Sequence, residues 1–301
     1  VLLQGLAAQI ENADSDKIYL FGYREGADAC YDLLETGMFA AAIAAEGSKG
    51  SVNAQAIVSA NAAVLAVNGS EETKNVRAVI RELNDAGSVH AEYNEIYGAG
   101  SGILEQAQGA DAIEWLFRKS LTSNAQKIRR KVDLAIFMGQ SNMAGRGEYA
   151  DAVKCPVGHG YEFRSVTQSD LLFAVNGPFG KSENNDSVND NGSDGKDRRS
   201  GDMVSALMES YYQATQTPLV GVQCSRGGSD LSYWNKGAQK AEAQARLTAA
   251  RTYLEQNNYE IGHIFMVWVQ GEADADKIYS GSQTVETYKE NTLKVFDFMK
   301  T

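Results

Sequence analysis

VDLAIFMGQSNMAG, residues 132–145, joins an apolar run to a glycine-bounded turn that carries one serine. The apolar residues before Gly139 predict a buried strand, and the turn after it predicts the start of a helix. Gly139 permits a tight turn at this junction, and Gly145 keeps its surroundings small. A strand that ends in such a turn is typical of an α/β protein whose sheet presents Ser141 at its edge.

Short apolar runs alternate with helix-periodic segments along the whole chain. We therefore predict an α/β fold of two three-layer α/β/α domains with mainly parallel sheets. Predicted strands cover 17–22, 63–69, 132–139, 218–225 and 261–271. Predicted helices include the apolar stripes within 76–83, 113–117, 204–211, 243–254 and 288–299. A polar basic stretch at 127–131 predicts a boundary between one domain in residues 1–126 and another in 127–301.

The composition disfavours several classes of function. A formal charge of −11 and a pI near 4.9 argue against nucleic acid and anionic membranes, because a phosphate-binding face needs clustered Lys and Arg. The apolar runs are far shorter than the roughly 18 residues that span a bilayer. The cysteines have no metal-ligand spacing, so we expect three buried thiols, no metal and no cofactor. These three are Cys30, Cys155 and Cys224.

Residues 182–201, SENNDSVNDNGSDGKDRRSG, contain almost nothing that could be buried and predict a long surface loop. Their aspartates also permit a calcium-site interpretation, since carboxylates are hard oxygen donors. These are Asp186, Asp190, Asp194 and Asp197. With Gly195 in the glycine position of an EF-hand loop, no Glu follows at the twelfth place. The pattern therefore favours a solvated loop.

Three predicted strands would bring their carboxyl ends to one edge of a parallel sheet, where ligands bind in such folds. These ends are followed by Ser141, by Arg226-Gly227-Gly228-Ser229 and by Gln270-Gly271-Glu272. They would supply a nucleophile, a backbone donor on a glycine, and a side-chain amide beside a carboxylate. A serine needs both a base and donors to the oxyanion that forms at a carbonyl, so this set predicts an acyl-transfer site.

The blocks GQSNMAGRG, VQCSRGGSDLSYW and VWVQGEADAD resemble the carbohydrate acetylesterases of the SGNH-hydrolase superfamily, which include sialate O-acetylesterases and acetylxylan esterases. The resemblance covers about residues 132–301. It implies a nucleophile at Ser141, and oxyanion donors from the backbone of Ser141, the backbone of Gly228 and the side chain of Gln270. Glu272 would act as a supporting acid or orienting group. The family motif has an aromatic residue or His where this chain has Val269.

The same resemblance implies an acetylated carbohydrate as the substrate and favours a secreted or periplasmic location, although the sequence leaves the compartment open. We name Arg226, Trp234 and Asn142 as candidate substrate contacts. The ring of Trp234 fits either a sugar-stacking surface or a core position.

The catalytic base is the main departure from this family, whose histidine comes from an Asp-x-x-His element near the C-terminus. The chain reaches Thr301 without that element. His263 would lie about 23 Å from Gln270 at 3.3 Å per strand residue. His159 is expected to be an exposed loop residue, and His90 belongs to the other domain. We therefore expect the base to come from beyond Thr301 or from another chain.

The first domain resembles α/β-hydrolase esterases of the polyhydroxybutyrate-depolymerase or feruloyl-esterase type, on DKIYLFGYREGADACYDLLE and YGAGSGILEQAQGADAIEWLF. Arg24 stands where the G-x-S-x-G motif has its Ser, and Ser101 where the family has His. The resemblance implies a partial domain without chemistry, whose unpaired sheet edge could favour a homo-oligomer. A carbohydrate-binding or scaffolding pseudoenzyme is thus the alternative to an acetylesterase. Arg24 would bind a carboxylate or would simply be an exposed turn residue.

Overall fold

The computed structural model describes residues 9–10, 12–71, 74–97, 99–126, 128–147, 151–176, 179–180, 183 and 201–300. The chain divides into two compact units, Val1–Arg129 and Arg130–Thr301. Each unit has a β-sheet with helices between its strands, so the predicted α/β fold class is confirmed. Over the described ranges, no helix combines the length and the apolar character needed to cross a membrane.

Unit 1 has four parallel strands in the order β1-β2-β3-β4. They are β1 Tyr19–Tyr23, β2 Ala41–Ala45, β3 Ala63–Gly69 and β4 Ala91–Ile96. The helices are α1 Glu25–Leu34, α2 Ala54–Ser59, α3 Lys74–Asp85, α4 Leu104–Ala107, α5 Ala110–Phe117 and α6 Leu121–Asn124. Every residue of β2 and β3 is buried, as expected for central parallel strands.

The sequence did not predict β4, because its composition is polar. Glu92, Asn94 and Glu95 are nevertheless buried. Arg77 contacts Glu95 at 2.6 Å between Nη2 and Oε2, and the Tyr93 hydroxyl donates to the same oxygen at 2.9 Å. Buried carboxylates are tolerated when they are paired in this way. Arg77 comes from α3, whereas Tyr93 lies in β4 itself, so the burial of Glu95 depends on a partner that the strand sequence does not show.

Unit 2 has five strands in the order β7-β6-β8-β5-β9. They are β5 Arg130–Gly139, β6 Gly160–Arg164, β7 Gln168–Ala174, β8 Leu219–Ser225 and β9 Tyr259–Val269. The helices are α7 Ser141–Ala144, α8 Val204–Thr215, α9 Leu231–Trp234, α10 Gly237–Gln256, α11 Glu272–Tyr279 and α12 Val285–Met299. All strand pairs are parallel except β6 with β7. Thus the prediction of a mainly parallel sheet is confirmed, with an antiparallel edge hairpin that the sequence did not predict.

The central strand β5 carries core on both faces. Leu134, Ile136 and Met138 belong to one buried cluster, and Ala135 and Phe137 belong to the other. This explains why the run LAIFM is continuously apolar rather than alternating. The strand therefore holds its carboxyl end, and the turn that follows, in a fixed place.

The edge strand β9 is only partly covered, although its sequence resembles that of a central strand. Ile264 is 45% exposed. A groove of about 900 Å³ lies against β9, and its lining includes Ile264, Met266, Trp268 and Phe296. Residues whose apolar pattern predicts a central strand therefore lie in the edge strand of this sheet.

The loop predicted for 182–201 differs from expectation where the structure describes it. Glu183 is 2% exposed, because its carboxylate accepts four hydrogen bonds from the β6–β7 turn. The donors are Ser165 Oγ, Val166 N, Thr167 N and Thr167 Oγ1, at 2.8 to 3.1 Å. Glu183 is therefore a buried position within a segment that was predicted to contain almost none. The four aspartates of the calcium interpretation lie outside the described residues.

Candidate active site

Three strand ends lie side by side at the carboxyl edge of the sheet in unit 2. Gly139 at the end of β5 pairs with Ser225 on β8 and with Val269 on β9. The residues that follow these positions thus begin at the same edge. They include the predicted Ser141, Gly228, Gln270 and Glu272.

The turn after β5 is fixed by close backbone contacts. Gly139 has a φ of +135°, and a Cβ at this position would lie 1.9 Å from the carbonyl oxygen of Val269. Its own carbonyl accepts from the N–H of Arg226 at 2.8 Å, and the N–H of Gln140 donates to Val269 at 2.9 Å. Only glycine fits this conformation and approach. These bonds lock the turn before Ser141 to both neighbouring strand ends.

Ser141 is the first residue of α7 and is partly exposed. Its hydroxyl makes no hydrogen bond to any residue in the described part of the chain. Gly228 is exposed with a φ of +68°, and its N–H likewise has no partner among the described residues. The first N–H groups of a helix also lack intrahelical partners. The arrangement therefore leaves an accessible hydroxyl and backbone donors at one sheet edge.

Gln140 is a residue of this site that the sequence did not single out. Its side chain is buried, and its Oε1 accepts from the N–H groups of Gly271 and Ala273, each at 3.3 Å. Both belong to the start of α11, where N–H groups have no intrahelical partner. The residue before Ser141 thus caps the helix that follows β9. Its position next to Ser141 in the sequence points to the site, but its hydrogen-bond partners cannot be deduced from the sequence.

Asn142 and Glu272 contact each other across the same two segments. The Nδ2 of Asn142 donates to the Oε1 of Glu272, and both residues are exposed. The carboxylate of Glu272, predicted as a supporting group, therefore contacts the residue that directly follows Ser141. Asn142, predicted as a substrate contact, holds this carboxylate.

Gln270 is held by a buried carboxylate that the sequence analysis also missed. Its Nε2 donates to Oδ2 of Asp274 at 2.5 Å and to the carbonyl of Ser229 at 3.3 Å. Asp274 is 1% exposed, and the same Oδ2 accepts from the N–H of Leu231 at 3.0 Å. Asp274 lies within the block VWVQGEADAD, but its spacing alone does not reveal these contacts.

The start of α9 is tied to α11 through an ion pair. Asp230 accepts from the N–H of Tyr233 at 2.8 Å, from Ser232 Oγ at 2.7 Å and from the ammonium of Lys277. Partial burial opposes ionisation of Asp230. The hydrogen bonds outweigh this effect, that of Lys277 first, and lower the pKa of Asp230 to about 2. These bonds therefore fix Asp230, the residue that directly follows the loop at 226–229 with Gly228.

Trp234 occupies a core position. Its side chain is 2% exposed, its indole N–H donates to Ser229 Oγ at 2.8 Å, and its ring meets that of Trp268 edge-on. This burial favours the core alternative over sugar stacking. Arg226 is half-buried, with its guanidinium 5.9 Å from the ring centre of Tyr233.

The exit from α7 packs against Asp202. A Cβ on Gly145 would lie 3.0 Å from the Cβ of Asp202. Burial raises the pKa of Asp202 to about 6, although N–H bonds from Val204, Phe179 and Ser205 oppose this rise. The end of α7 therefore packs closely against the segment that precedes α8.

Neither histidine of unit 2 lies beside Ser141. His263 is seven residues before Gln270 on β9, and its ring contacts Asp133 at 3.2 Å. His159 precedes β6, so it lies at the amino edge of the sheet. His90 belongs to unit 1, where its Nε2 contacts the carbonyl of Asn124 at 3.1 Å.

The expectation that His159 is exposed is wrong. The residue is 4% exposed, because its ring stacks on Tyr212 with 3.7 Å between centroids and its Nδ1 lies 2.6 Å from Oε2 of Glu209. These partners explain why a histidine is buried there.

Arg24 occupies the corner after β1 in unit 1, with φ 55° and ψ −118°. Its Nε donates to Glu46 Oε2 at 3.3 Å, and its side chain is 53% exposed. Glu46 also has a positive φ and accepts from the N–H of Ile103 at 2.8 Å. Two strained residues at neighbouring strand ends thus form one ion pair. A guanidinium cannot be a nucleophile, so this corner has no serine-type chemistry.

The thiols and carboxylates form no metal site in the part of the chain that the structure describes. All three cysteines are free and buried, as predicted, and burial raises the pKa of each thiol. Within the described ranges, no group of three or more His, Cys, Asp or Glu side chains could hold a metal ion.

Comparison with known proteins assigns unit 2 to the esterase class. The model of the family described as carbohydrate esterase, sialic acid-specific acetylesterase, matches residues 131–301, more than half of the chain. The chain therefore belongs to this family of carbohydrate esterases.

Two solved structures are similar to parts of the chain. A thermostable esterase has 20% sequence identity and a TM-score of 0.34, covering 40% of this chain and 35% of its own. An Arabidopsis thaliana protein has 18% identity and a TM-score of 0.39, covering 56% of this chain and 67% of its own. The chain thus spans about a third of the length of the thermostable esterase. No curated protein matches the chain.

Proposed function

We propose that this protein is a serine hydrolase that removes O-acetyl groups from a carbohydrate, with Ser141 as the nucleophile. The observation that carries the proposal is the register of Gly139 with Ser225 and Val269, which starts all three predicted site segments at one sheet edge. The family assignment supports an esterase in general. The acetylated sugar is our inference from that assignment.

In the proposed reaction, Ser141 Oγ attacks the acetyl carbonyl carbon while its proton passes to a base. The backbone N–H groups of Ser141 and Gly228, with the amide of Gln270, donate to the oxyanion. The sugar oxygen then leaves with a proton, and water hydrolyses the acetyl-serine. Glu272, through Asn142, orients the turn beside the nucleophile. Arg226 is the remaining candidate for contact with the sugar.

The position of the histidines shapes the test of this proposal. Since neither His159 nor His263 lies beside Ser141 within unit 2, the proposed base comes from outside this unit. Free imidazole, which can supply that base from solution, should accelerate hydrolysis of para-nitrophenyl acetate by the protein. The acceleration should depend on Ser141.

The decisive comparison is between Ser141→Ala and Ser280→Ala. Ser280 is an exposed serine whose hydroxyl bonds locally to the carbonyl of Lys277. Ser141→Ala should lower the imidazole-assisted rate by about 10³-fold or more. Ser280→Ala should leave both the rate and the labelling of the protein by a fluorophosphonate unchanged. Equal rates for wild type and Ser141→Ala would refute the proposal.

A second candidate function is recognition of an acidic sugar by unit 1. Its support is the Arg24 corner, where the guanidinium donates to Glu46 through Nε and lies 5.1 Å from the ring centre of Tyr23, while the side chain stays 53% exposed to a carboxylate in solution. Calorimetric titration with a uronic acid should then give heat for wild type but not for Arg24→Gln. Arg118→Gln, on an exposed helix end, is the matched control. Absence of heat for wild type would remove this candidate.

A further inference from the structure

The buried carboxylate of Asp274 joins two segments that meet at the candidate active site. Its Oδ2 accepts from the amide of Gln270 and from the N–H of Leu231. The side chain is 1% exposed, so both bonds form away from bulk water, where a charged acceptor binds strongly. Asp274 thereby links the residue after β9 to the first residue of α9, three positions beyond Gly228.

This carboxylate determines which way the amide of Gln270 faces. An ionised carboxylate only accepts hydrogen bonds, whereas a glutamine amide has one donor end and one acceptor end. Asp274 therefore selects Nε2. A rotation of the amide by 180° would bring its oxygen against Oδ2 of Asp274 and the carbonyl oxygen of Ser229. The orientation is kept even though Gln270 Oε1 is buried without a hydrogen-bond partner.

The second hydrogen of the same Nε2 is held less firmly. It points to the carbonyl of Ser229 over 3.3 Å, against 2.5 Å for the bond to Asp274. A hydrogen bond of that length is weak. Ser229 directly follows Gly228, so this N–H is directed toward the loop whose backbone N–H is the other proposed donor. This weakly held N–H of Gln270 is the one that can donate to an oxyanion instead.

We propose that Asp274 is a positioning residue of the acyl-transfer site. Its hydrogen bond to Gln270 turns the donor end of that amide toward the developing oxyanion. Its hydrogen bond to the N–H of Leu231 fixes the distance between Gln270 and the loop that carries Gly228. The inference rests on the proposed hydrolase function, because it concerns the orientation of one of that site's donors. Asp274 itself touches no reacting atom.

The kinetic test uses Asp274→Asn and the exchanged pair Gln270→Glu with Asp274→Asn. Asparagine offers either end to Gln270, so the single variant should lower kcat for acetyl-ester hydrolysis by about 10- to 100-fold, with KM within about twofold of wild type. The exchanged pair keeps a hydrogen bond with its direction reversed. It should therefore fold with a Tm near that of wild type, yet remain as slow as Gln270→Glu alone.

Asp276→Asn is the matched control, since Asp276 is exposed on the same helix. It should leave kcat and Tm unchanged. A purely structural role for Asp274 predicts instead that Asp274→Asn lowers Tm but keeps the kcat of wild type at temperatures where it is folded. That outcome would overturn the proposal.

A readout independent of catalysis separates this inference from the hydrolase function. In ¹⁵N spectra, one side-chain N–H of Gln270 should be shifted by the carboxylate in wild type, and the shift should disappear in Asp274→Asn. An unchanged signal overturns the positioning role. A wild-type protein that neither hydrolyses the ester nor reacts at Ser141 overturns the hydrolase function, and the amide signal still decides whether Asp274 orients Gln270.

Discussion

Gly139 and Val269 are in direct backbone contact, so close that a β-carbon on Gly139 would lie 1.9 Å from the carbonyl oxygen of Val269. This contact sets the separation of β5 and β9 at the point where both strands turn toward the candidate active site. The placement of Ser141 relative to Gln270 therefore depends on the absence of a side chain at position 139.

We predict that Gly139→Ala lowers the free energy of unfolding by about 3 to 5 kcal/mol, because it adds a clash to a left-handed backbone conformation. Urea denaturation measures the change. Gly237→Ala is the control, since a Cβ there meets nothing within 4 Å. It should be neutral or stabilise by up to about 1 kcal/mol, as Ala does in a helix. Equal stability of the two variants would contradict the contact.

Gln140→Leu should lower the free energy of unfolding by about 1 to 3 kcal/mol, because it leaves the N–H groups of Gly271 and Ala273 without their acceptor. It should also slow ester hydrolysis, since α11 carries Glu272 and Asp274. Gln256→Leu replaces an exposed glutamine at the end of α10 and should change stability by less than about 0.5 kcal/mol. Chemical denaturation of both variants, with their rates, tests the cap.

The ion pair of Asp230 with Lys277 predicts a specific dependence of stability on pH. The folded pKa of Asp230, about 2, lies below the ordinary value of 3.8 for an aspartate. The ionised form therefore stabilises the fold above pH 3.8, and this contribution is lost as the pH falls through 2. Asp230→Ala, which also removes a helix cap, should cost about 1 kcal/mol near neutral pH. The difference in Tm from wild type should shrink toward pH 2; a constant difference would contradict it.

Trp234→Phe tests whether this ring fills the core or stacks on sugar. The structure predicts a loss of about 1 to 2 kcal/mol in unfolding free energy, because Ser229 loses its indole donor and the core loses volume. KM for an acetylated sugar should stay within about twofold of wild type. A large rise in KM at unchanged stability would instead assign the ring to substrate binding.

The sequence predicted those elements whose signal is local. The buried strand β3 has the predicted bounds 63–69, and β5 and β8 begin within two residues of their predicted starts. It failed for β4 and for the β6–β7 hairpin, where Glu92 and Glu162 are buried although they are charged. Glu162, for example, accepts from Arg164 of the same strand at 3.0 Å and from the N–H of Gly180, outside the hairpin, at 2.7 Å.

The same distinction holds at the candidate active site. The parallel strands and their glycine turns allowed the three segments around Ser141, Gly228 and Gln270 to be grouped from sequence. Their catalytic roles remain predictions. Gln140 and Asp274 were not predicted, because their importance lies in which backbone N–H groups they reach, and those partners are about 130 and 43 residues away in the chain.

The uncovered strand β9 has a consequence for handling the protein. This edge strand is rich in Ile, Phe, Met, Val and Trp. Unpaired main-chain N–H and C=O groups beside apolar side chains favour aggregation by pairing of edge strands. Its eleven residues lie directly before Gln270, so self-association through β9 would involve the strand that leads into the candidate active site. Ile264→Lys, in the middle of β9, should keep the protein monodisperse at concentrations where wild type forms larger species.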